Sequence, residues 1–282
     1  QYELPDNPGC FSYMTHEELL NWLFCAAIYY RASGDKQWLH RRVNIFVDIL
    51  RSMQNRDNPD AEKRTGIMNF DSSRCGRQSE ITTYDSLDPS LGQARRNTYM
   101  GVKCWAGYVT LEWLFKEEAD HCLQEYILSA GASARLAAKT ISVAYDENLG
   151  HIPAILENGD TSAIIPIIEP LVYPKQLGLE VAVSLEGEYG EFIGLLKKHL
   201  THVLKEGVCL FPDKGWKLTA NNDNSWMSKI FLCQYVAEEV LKLDFGKEAE
   251  EYDRAHDNWW RVGCSVHSVV DQVIAGKSGG RG

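Results

Sequence analysis

Residues 15–54 read THEELLNWLFCAAIYYRASGDKQWLHRRVNIFVDILRSMQ, and their pattern decides the fold class. Leu19, Leu20, Leu23, Phe24, Ala27 and Ile28 recur at helical spacing and make one apolar stripe along a helix. Thr15 with Glu18 three positions on has the form of a capping box, and Gly34 stops the run. A second stripe follows at once, with Trp38, Val43, Phe46, Val47, Leu50 and Met53 over residues 37–54. Two long helices joined by so short a connection fold back as an antiparallel pair.

Outward from this pair the same period predicts helices over residues 93–116, 120–145, 188–205, 224–242 and 247–261, with an Ala-rich stretch at 130–138. Residues 151–156 follow the turn signal Asn148-Leu149-Gly150 and read as extended. Residues 209–219 read as a hairpin around Pro212-Asp213-Lys214-Gly215. The nine prolines fall at or outside the predicted helix ends, as expected when an interior proline costs ~3 kcal/mol. Pro166, Pro170 and Pro174 are expected to break 163–178 into short turns. There is no internal repeat, low-complexity tract or linker. The terminal GKSGGRG has the composition of a frayed or truncated end. The expectation is a single all-α domain over 1–282, built of antiparallel helix pairs with short β-hairpins. Periodicity does not choose among a bundle, a solenoid and an α/α barrel.

Composition narrows the function. In 282 residues, Asp plus Glu total 39 against 29 Lys plus Arg, a formal charge of -10. That disfavours a nucleic-acid partner, which asks for a basic face, and suits a neutral substrate. No apolar run approaches the ~18 residues of a membrane span, the longest being 23–30. No signal peptide is visible, so a cytoplasmic location is expected. The chain does not begin with Met, which reads as processing or as a piece of something longer. The eight Cys form no CxxC or zinc-like cluster, and several (Cys25, Cys104, Cys233) lie in apolar helical stretches as small buried thiols. His16, His40, His121, His202 and His256 lie in or beside predicted helices with no paired ligand at i+4, so no metal site is read. GxGxxG, P-loop, GxSxG and HExxH motifs are absent, so neither a metal nor a cofactor is called for.

Two stretches concentrate polar chemistry. The first is the long connection 57–91, DNPDAEKRTGIMNFDSSRCGRQSEITTYDSLDPSL. A loop this long inside a compact domain is usually functional or disordered. Ile67, Met68, Phe70, Ile81 and Tyr84 would anchor it, and Asp71, Arg74, Arg77, Glu80, Asp85 and Asp88 give it charge. Asp85 follows a β-branched pair and Tyr84, a pattern that aims a carboxyl from a fixed extended segment. Asp88 before Pro89 reads equally as a turn or cap residue. The second stretch is 215–229, with Trp216, Lys217, Asn221, Asn222, Asp223, Asn224, Ser225, Trp226 and Lys229. Asn224 or Ser225 as a helix N-cap explains part of it. Two Trp among amides and hydroxyls also suit a sugar, whose C–H face stacks on indole while its hydroxyls hydrogen-bond. Trp259-Trp260 reads as core.

CFSYMTHEELLNWLFCAAIYYRASGDKQWL (10–39), GIMNFDSSRCGRQSEITTYDSLDPSLGQARRNTYMGVKCWAGYVTLE (66–112) and GVCLFPDKGWKLTANNDNSWMSKIFLCQYVAEEVL (207–241) resemble glycoside hydrolase family 52, the β-xylosidases. The likeness covers almost the whole chain. It implies an (α/α)6 barrel, similar to that of family 116 glucosidases. It also implies a retaining mechanism with two carboxylates ~5–5.5 Å apart, and release of xylose from β-1,4-xylo-oligosaccharides. On this resemblance Asp85, in the TTYD segment, is the general acid/base. The family's nucleophile, a Glu, lies N-terminal to everything in this chain, and the family continues beyond GKS. The chain is therefore expected to be an incomplete barrel, with about eight helices of twelve. Trp216 and Trp226 are candidates for ring stacking. Asp71, Arg74, Asp88, Asn97, Asn224 and Lys229 are candidates for bonding hydroxyls or tuning Asp85, whose pKa must be raised if it is to act as an acid. A homodimer of the intact enzyme fits the same picture. The alternatives are a non-catalytic helical sugar-binding or interaction module, and a β-glucosidase on the same scaffold.

Overall fold

The computed structural model describes residues 14–72, 80, 82–83, 88, 91, 94–118, 121–263 and 271–274. The all-α class holds. The helices are α1 (Thr15–Ser33), α2 (Lys36–Asp57), α3 (Thr98–Glu118), α4 (Gln124–Val143), α5 (Val172–Gln176), α6 (Gly190–Val203), α7 (Met227–Tyr235) and α8 (Glu248–Gly263).

The first pair forms as its sequence dictates. Gly34 adopts φ 64° and its N–H returns to the Tyr30 carbonyl at 2.8 Å, closing α1 in the left-handed cap that glycine allows. Asp35 then caps α2, its Oδ1 accepting from the Trp38 N–H at 2.9 Å. The start of α1 differs from expectation. Met14 is the N-cap and no side chain caps the helix. The Thr15 hydroxyl donates instead to Glu80, 65 residues away, so the Thr15–Glu18 capping box does not form.

α3 is the centre of the molecule. Every residue from Thr98 to Leu111 is buried, so the helix is enclosed on all sides, its apolar surface interrupted by the buried Lys103 and Thr110. α1, α2, α4 and the 166–171 segment surround it. Two glycines set its close approaches. A Cβ at Gly107 would meet Leu20 Cδ2 at 2.7 Å, and one at Gly101 would meet Ile141 Cδ1 at 2.8 Å. Opposite, α4 buries Ala130, Ala134, Ala137 and Ala138, and these short side chains let it lie close against α3. The Ala-rich stretch therefore reports helix–helix packing.

The proline-bearing segment departs from the short turns expected. Pro166–Leu171 is a continuous 3-10 helix, wholly buried, which runs straight into α5. Its prolines need no i–4 hydrogen bonds there, and the segment packs against α3 and α7. α7 opens at Met227, three residues later than predicted, and continues as a π turn over Val236–Val240. Asn224 and Ser225 are not caps. They belong to strand β1 (Asn224–Trp226), which pairs antiparallel with β2 (Gln272–Ile274). The hairpin at 209–219 forms with the expected turn, Leu210 bridging Trp216 and Lys214 at φ 74°.

Cys104, Cys209 and Cys233 are buried thiols as read, whereas Cys25 is exposed on the outer side of α1. Trp259 is core, 4% exposed, with its Nε1 donating to Asp213 Oδ2 at 2.7 Å. Among the described residues no helix is long and apolar enough to cross a membrane.

Candidate active site

The described residues of the connection between α2 and α3 are held at several points by buried polar groups, some on helices and some beside them. Asp57, at the end of α2, accepts from the N–H groups of Thr65 (2.8 Å) and Gly66 (2.7 Å) and from Asn69 Nδ2 (3.0 Å). Burial outweighs these donors and lifts the Asp57 pKa above the ordinary carboxylate value. Gly66 sits at φ 84° with its Cα against α4. A Cβ there would lie 2.1 Å from the Ala137 nitrogen, so the turn exists only with glycine.

Next along the loop, Glu80 is fully buried and faces Arg56 of α2. Arg56 Nε donates to both Glu80 oxygens at 3.1 and 3.2 Å, and Arg56 Nη2 lies 3.0 Å from Oε1. Arg56 also donates to the hydroxyls of Ser52 and Thr15, and the Ser72 N–H donates to Glu80 at 2.6 Å. A fork–fork pair with its remaining valences filled is the arrangement in which a buried ion pair is tolerated.

Thr82 and Thr83, both fully buried, are fixed on opposite sides. The Thr82 hydroxyl reaches the Leu91 and Ala94 carbonyls and accepts from Asn97 Nδ2 at 2.9 Å. The Thr83 hydroxyl donates to Glu17 Oε2 at 2.7 Å. Beyond, Asp88 Oδ2 accepts from the Thr219 hydroxyl at 2.6 Å, tying the loop to the end of the 209–219 hairpin. Asp85 lies between Thr83 and Asp88. Asp85 and Arg74 themselves fall outside the described residues.

Glu17 belongs to a charged network inside the helical core. Its Oε1 lies 2.8 Å from the Tyr99 phenol and 3.2 Å from Lys103 Nζ, both on α3. Lys103 and Lys229 of α7 donate to the same phenol oxygen at 2.9 and 3.0 Å, and Lys229 pairs with Glu169 Oε2 at 2.7 Å. Two lysines and two glutamates are formally balanced. The network joins α1, α3, the 166–171 segment and α7. Burial alone would raise the Glu17 pKa. Lys103, Lys229 and the hydrogen bonds from Thr83 and Tyr99 outweigh it, so Glu17 is held below the usual range as a carboxylate. Burial, with Glu169 and Glu17 alongside, pushes the Tyr99 phenol well up, so it stays neutral.

The other predicted residues sort by their surroundings. Asn97 is the N-cap of α3: its Oδ1 accepts from the Met100 N–H at 2.7 Å, and it is 1% exposed. Asp71 is ion-paired with Arg95. Trp216 is completely enclosed between Phe245 and Tyr252, its ring edge-on to both, so its faces are core and offer no platform for a sugar. Asn224 is described only through its backbone, in β1. Trp226 is partly buried at the start of α7, one turn before Lys229, and packs against the core. The structure thus brings Asn97 to Thr82 and Asp88 to Thr219, joins Lys229 to the Glu17 network and places Trp216 in the core. Glu17, Arg56, Tyr99, Lys103 and Glu169 were not singled out from sequence. The available signal was a charged residue on an apolar stripe: Glu17, Leu20 and Phe24 follow i, i+3, i+7. Among the described residues no cluster of His, Cys, Asp and Glu is arranged to hold a metal ion.

Known proteins resemble this chain. Residues 1–29 match the model of glycosyl hydrolase family 52. Over 277 residues, 98% of its length, the chain is 46% identical to a β-xylosidase of Geobacillus stearothermophilus, of which it covers 39%. A second β-xylosidase of the same organism is 38% identical over 143 residues, half of this chain and 22% of that protein. The chain therefore spans about two fifths of the length of the first of these relatives. These similarities agree with the resemblance to glycoside hydrolase family 52 read from the sequence.

Proposed function

We propose that the protein is a retaining glycosidase of the β-xylosidase type, with Asp85 as its general acid/base. The observation that carries this reading is the 46% identity to a β-xylosidase over 98% of the chain. The geometry supports it. The residues on either side of Asp85 are fixed by buried bonds from three directions, Glu17 on α1, Asn97 ahead of α3 and Thr219 after the hairpin. A carboxyl that must meet one glycosidic oxygen needs such placement.

In this reading the nucleophile is a Glu outside these 282 residues, and these helices make up part of an (α/α)6 barrel. The nucleophile attacks the anomeric carbon as Asp85 gives its proton to the leaving oxygen. Asp85 then takes a proton from the water that hydrolyses the glycosyl ester. The substrates are short β-1,4-xylo-oligosaccharides. In this reading the partly buried Trp226 is the ring platform and Lys229 the cation nearest to it in sequence on α7.

The test is hydrolysis of xylobiose and of an activated aryl β-xyloside by the complete protein and by its Asp85→Ala variant. Loss of the acid should slow xylobiose cleavage by about 10²–10⁴-fold. The step that expels an activated phenolate should lose far less. Parental xylobiose turnover by Asp85→Ala would overturn the assignment. Binding of xylose with no turnover by the complete parent protein would favour a non-catalytic sugar-binding module.

A further inference from the structure

We infer that the cleft between the C-terminal half of α3 and segment 178–189 is a binding site for a neutral sugar, taking one pyranose unit. Only the choice of a xyloside as the probe rests on the β-xylosidase reading. The cleft stands on its own residues.

Val109, Glu112, Trp113 and Lys116 fall at i, i+3, i+4 and i+7 of α3, so they share one face of the helix. That face lines a cleft of about 410 Å³, with Leu179, Ala182 and Tyr189 completing it. Sites for small molecules run from ~300 to ~1,000 Å³. From Tyr99 to Trp113 is ~20 Å of helix, so the cleft is separate from the Glu17 network. Its loop wall is fixed. Gly178 at φ 73° turns the chain out of α5, and the Leu179 N–H bonds the Pro174 carbonyl at 2.9 Å. The loop then folds on itself so tightly that a Cβ at Gly187 would lie 1.9 Å from the Val181 carbonyl oxygen. A cleft shaped before its ligand arrives loses little freedom on binding.

One group in the lining lacks a partner. Tyr189 is 6% exposed, and its hydroxyl has no hydrogen-bond partner among the described residues. Buried hydroxyls are nearly always bonded. Burial, with Glu188 and Glu112 near the oxygen, pushes the phenol pKa up, so the hydroxyl keeps its proton and can donate. Both carboxylates line the cleft, which puts the unpartnered hydroxyl on the cleft side of the ring.

The charges select the ligand class. The acids of the lining are Glu112, Glu180 and Glu188. Glu112 pairs with Lys116 at 2.7 Å, Glu180 with Lys175 at 2.9 Å and Glu188 with Arg135 at 3.1 Å. The pairs balance, so neither an anion nor a cation is favoured. An ionised carboxylate offers about four acceptor positions, and a single cation leaves some of them open. The ligand is therefore neutral, rich in hydroxyl donors, and apolar on the side that meets Trp113, Leu179 and Ala182. A pyranose has all three properties. Its C–H groups lie on the indole, its hydroxyls donate to the carboxylates, and one of its oxygens accepts from Tyr189.

The experiment uses the complete protein labelled with 5-fluorotryptophan and followed by fluorine NMR. The probe is S-linked xylobiose, which resists hydrolysis. Trp113→Phe identifies the Trp113 resonance by its loss, and Ala182→Phe, which fills the cleft, identifies it a second way as the resonance that stops responding. In the parent that resonance should shift saturably with Kd ~1–10 mM, as suits a site for a single sugar unit. Tyr189→Phe keeps the ring and removes the hydroxyl. It should weaken this binding by about 2–10-fold, the worth of one net hydrogen bond, and leave kcat/KM on an aryl β-xyloside at the parental value. Sorbitol, a linear polyol, should not move the resonance. No saturable shift up to ~100 mM, an equal response to sorbitol, or an unchanged Kd in Tyr189→Phe would overturn the inference. If the complete protein hydrolyses no xyloside, the β-xylosidase reading fails, while the titration still decides whether the cleft binds a sugar.

Discussion

Replacing Arg56 by Met tests whether the connection between α2 and α3 is held by its buried ion pair. Arg56 is 5% exposed and Glu80 0%, so neither charge is relieved by water. Met keeps most of the aliphatic stem and removes the guanidinium. Glu80 would then retain the Thr15 hydroxyl and the Ser72 N–H, but no cation. Breaking a buried pair from one side costs about 3–5 kcal/mol, because the surviving charge stays buried. With a urea slope of ~2–3 kcal/mol per molar, the unfolding midpoint should fall by ~1–2 M. Glu80→Met alone should cost a similar amount, since it strands the guanidinium. The double variant Arg56→Met/Glu80→Met removes both charges and should be more stable than either single one, because an apolar pair of similar volume replaces the ion pair. Urea titration of all four forms, followed by far-UV circular dichroism, measures this cycle. A single-variant midpoint within about 0.3 M of the parent, or a double variant losing the sum of the two, would refute the claim that this pair clamps the loop.

Two further predictions follow from the same geometry. Gly66→Ala puts a methyl 2.1 Å from the Ala137 backbone at a positive φ, so it should destabilise by more than the ~1 kcal/mol of a strained turn, and Gly66→Ser should do no better; thermal unfolding reads both. Acid should weaken the fold well above the carboxylate range. His199 is lowered to about 4 by burial, with the Ile164 carbonyl partly opposing, and His256 is lowered to about 4 by burial against the pull of Asp253 and Asp213. Each is depressed in the fold, so the unfolded chain takes up the proton first. Stability is whole above pH ~6.5 and falls as pH drops towards 4, by up to ~3 kcal/mol per histidine. Unfolding free energies measured from pH 7 to 4 should show that slope, and His199→Gln should flatten it. A flat profile in the parent would contradict the burial of neutral imidazoles.

Much of the scaffold was legible in the sequence because local chemistry and tertiary packing agree there. Gly34 and Asp35 fix the α1–α2 connection through a left-handed cap and an N-cap, both properties of single residues. The Pro212–Gly215 turn is equally local. The places where reading failed are those where a distant partner took over. Thr15 gives up a capping box for Glu80 across 65 residues. Pro166, Pro170 and Pro174 suggested broken turns, yet the helices around them bury a continuous 3-10 segment. Trp216 has the composition of a sugar platform, but Phe245 and Tyr252 enclose it. The connection between α2 and α3 was recognisable from its length and polarity. Its anchors were not, because Glu17, Lys103 and Glu169 acquire meaning only when α1, α3 and the 166–171 segment meet.

The most direct measurement is the product formed by Asp85→Ala in the complete protein when an activated aryl β-xyloside is hydrolysed in the presence of azide. If Asp85 is the acid/base of a retaining enzyme, the glycosyl ester still forms, and azide, which needs no general base, attacks it. Turnover should then rise with azide, and proton NMR should show β-xylosyl azide as the product. No acceleration by azide, or an α-xylosyl azide, would contradict the account.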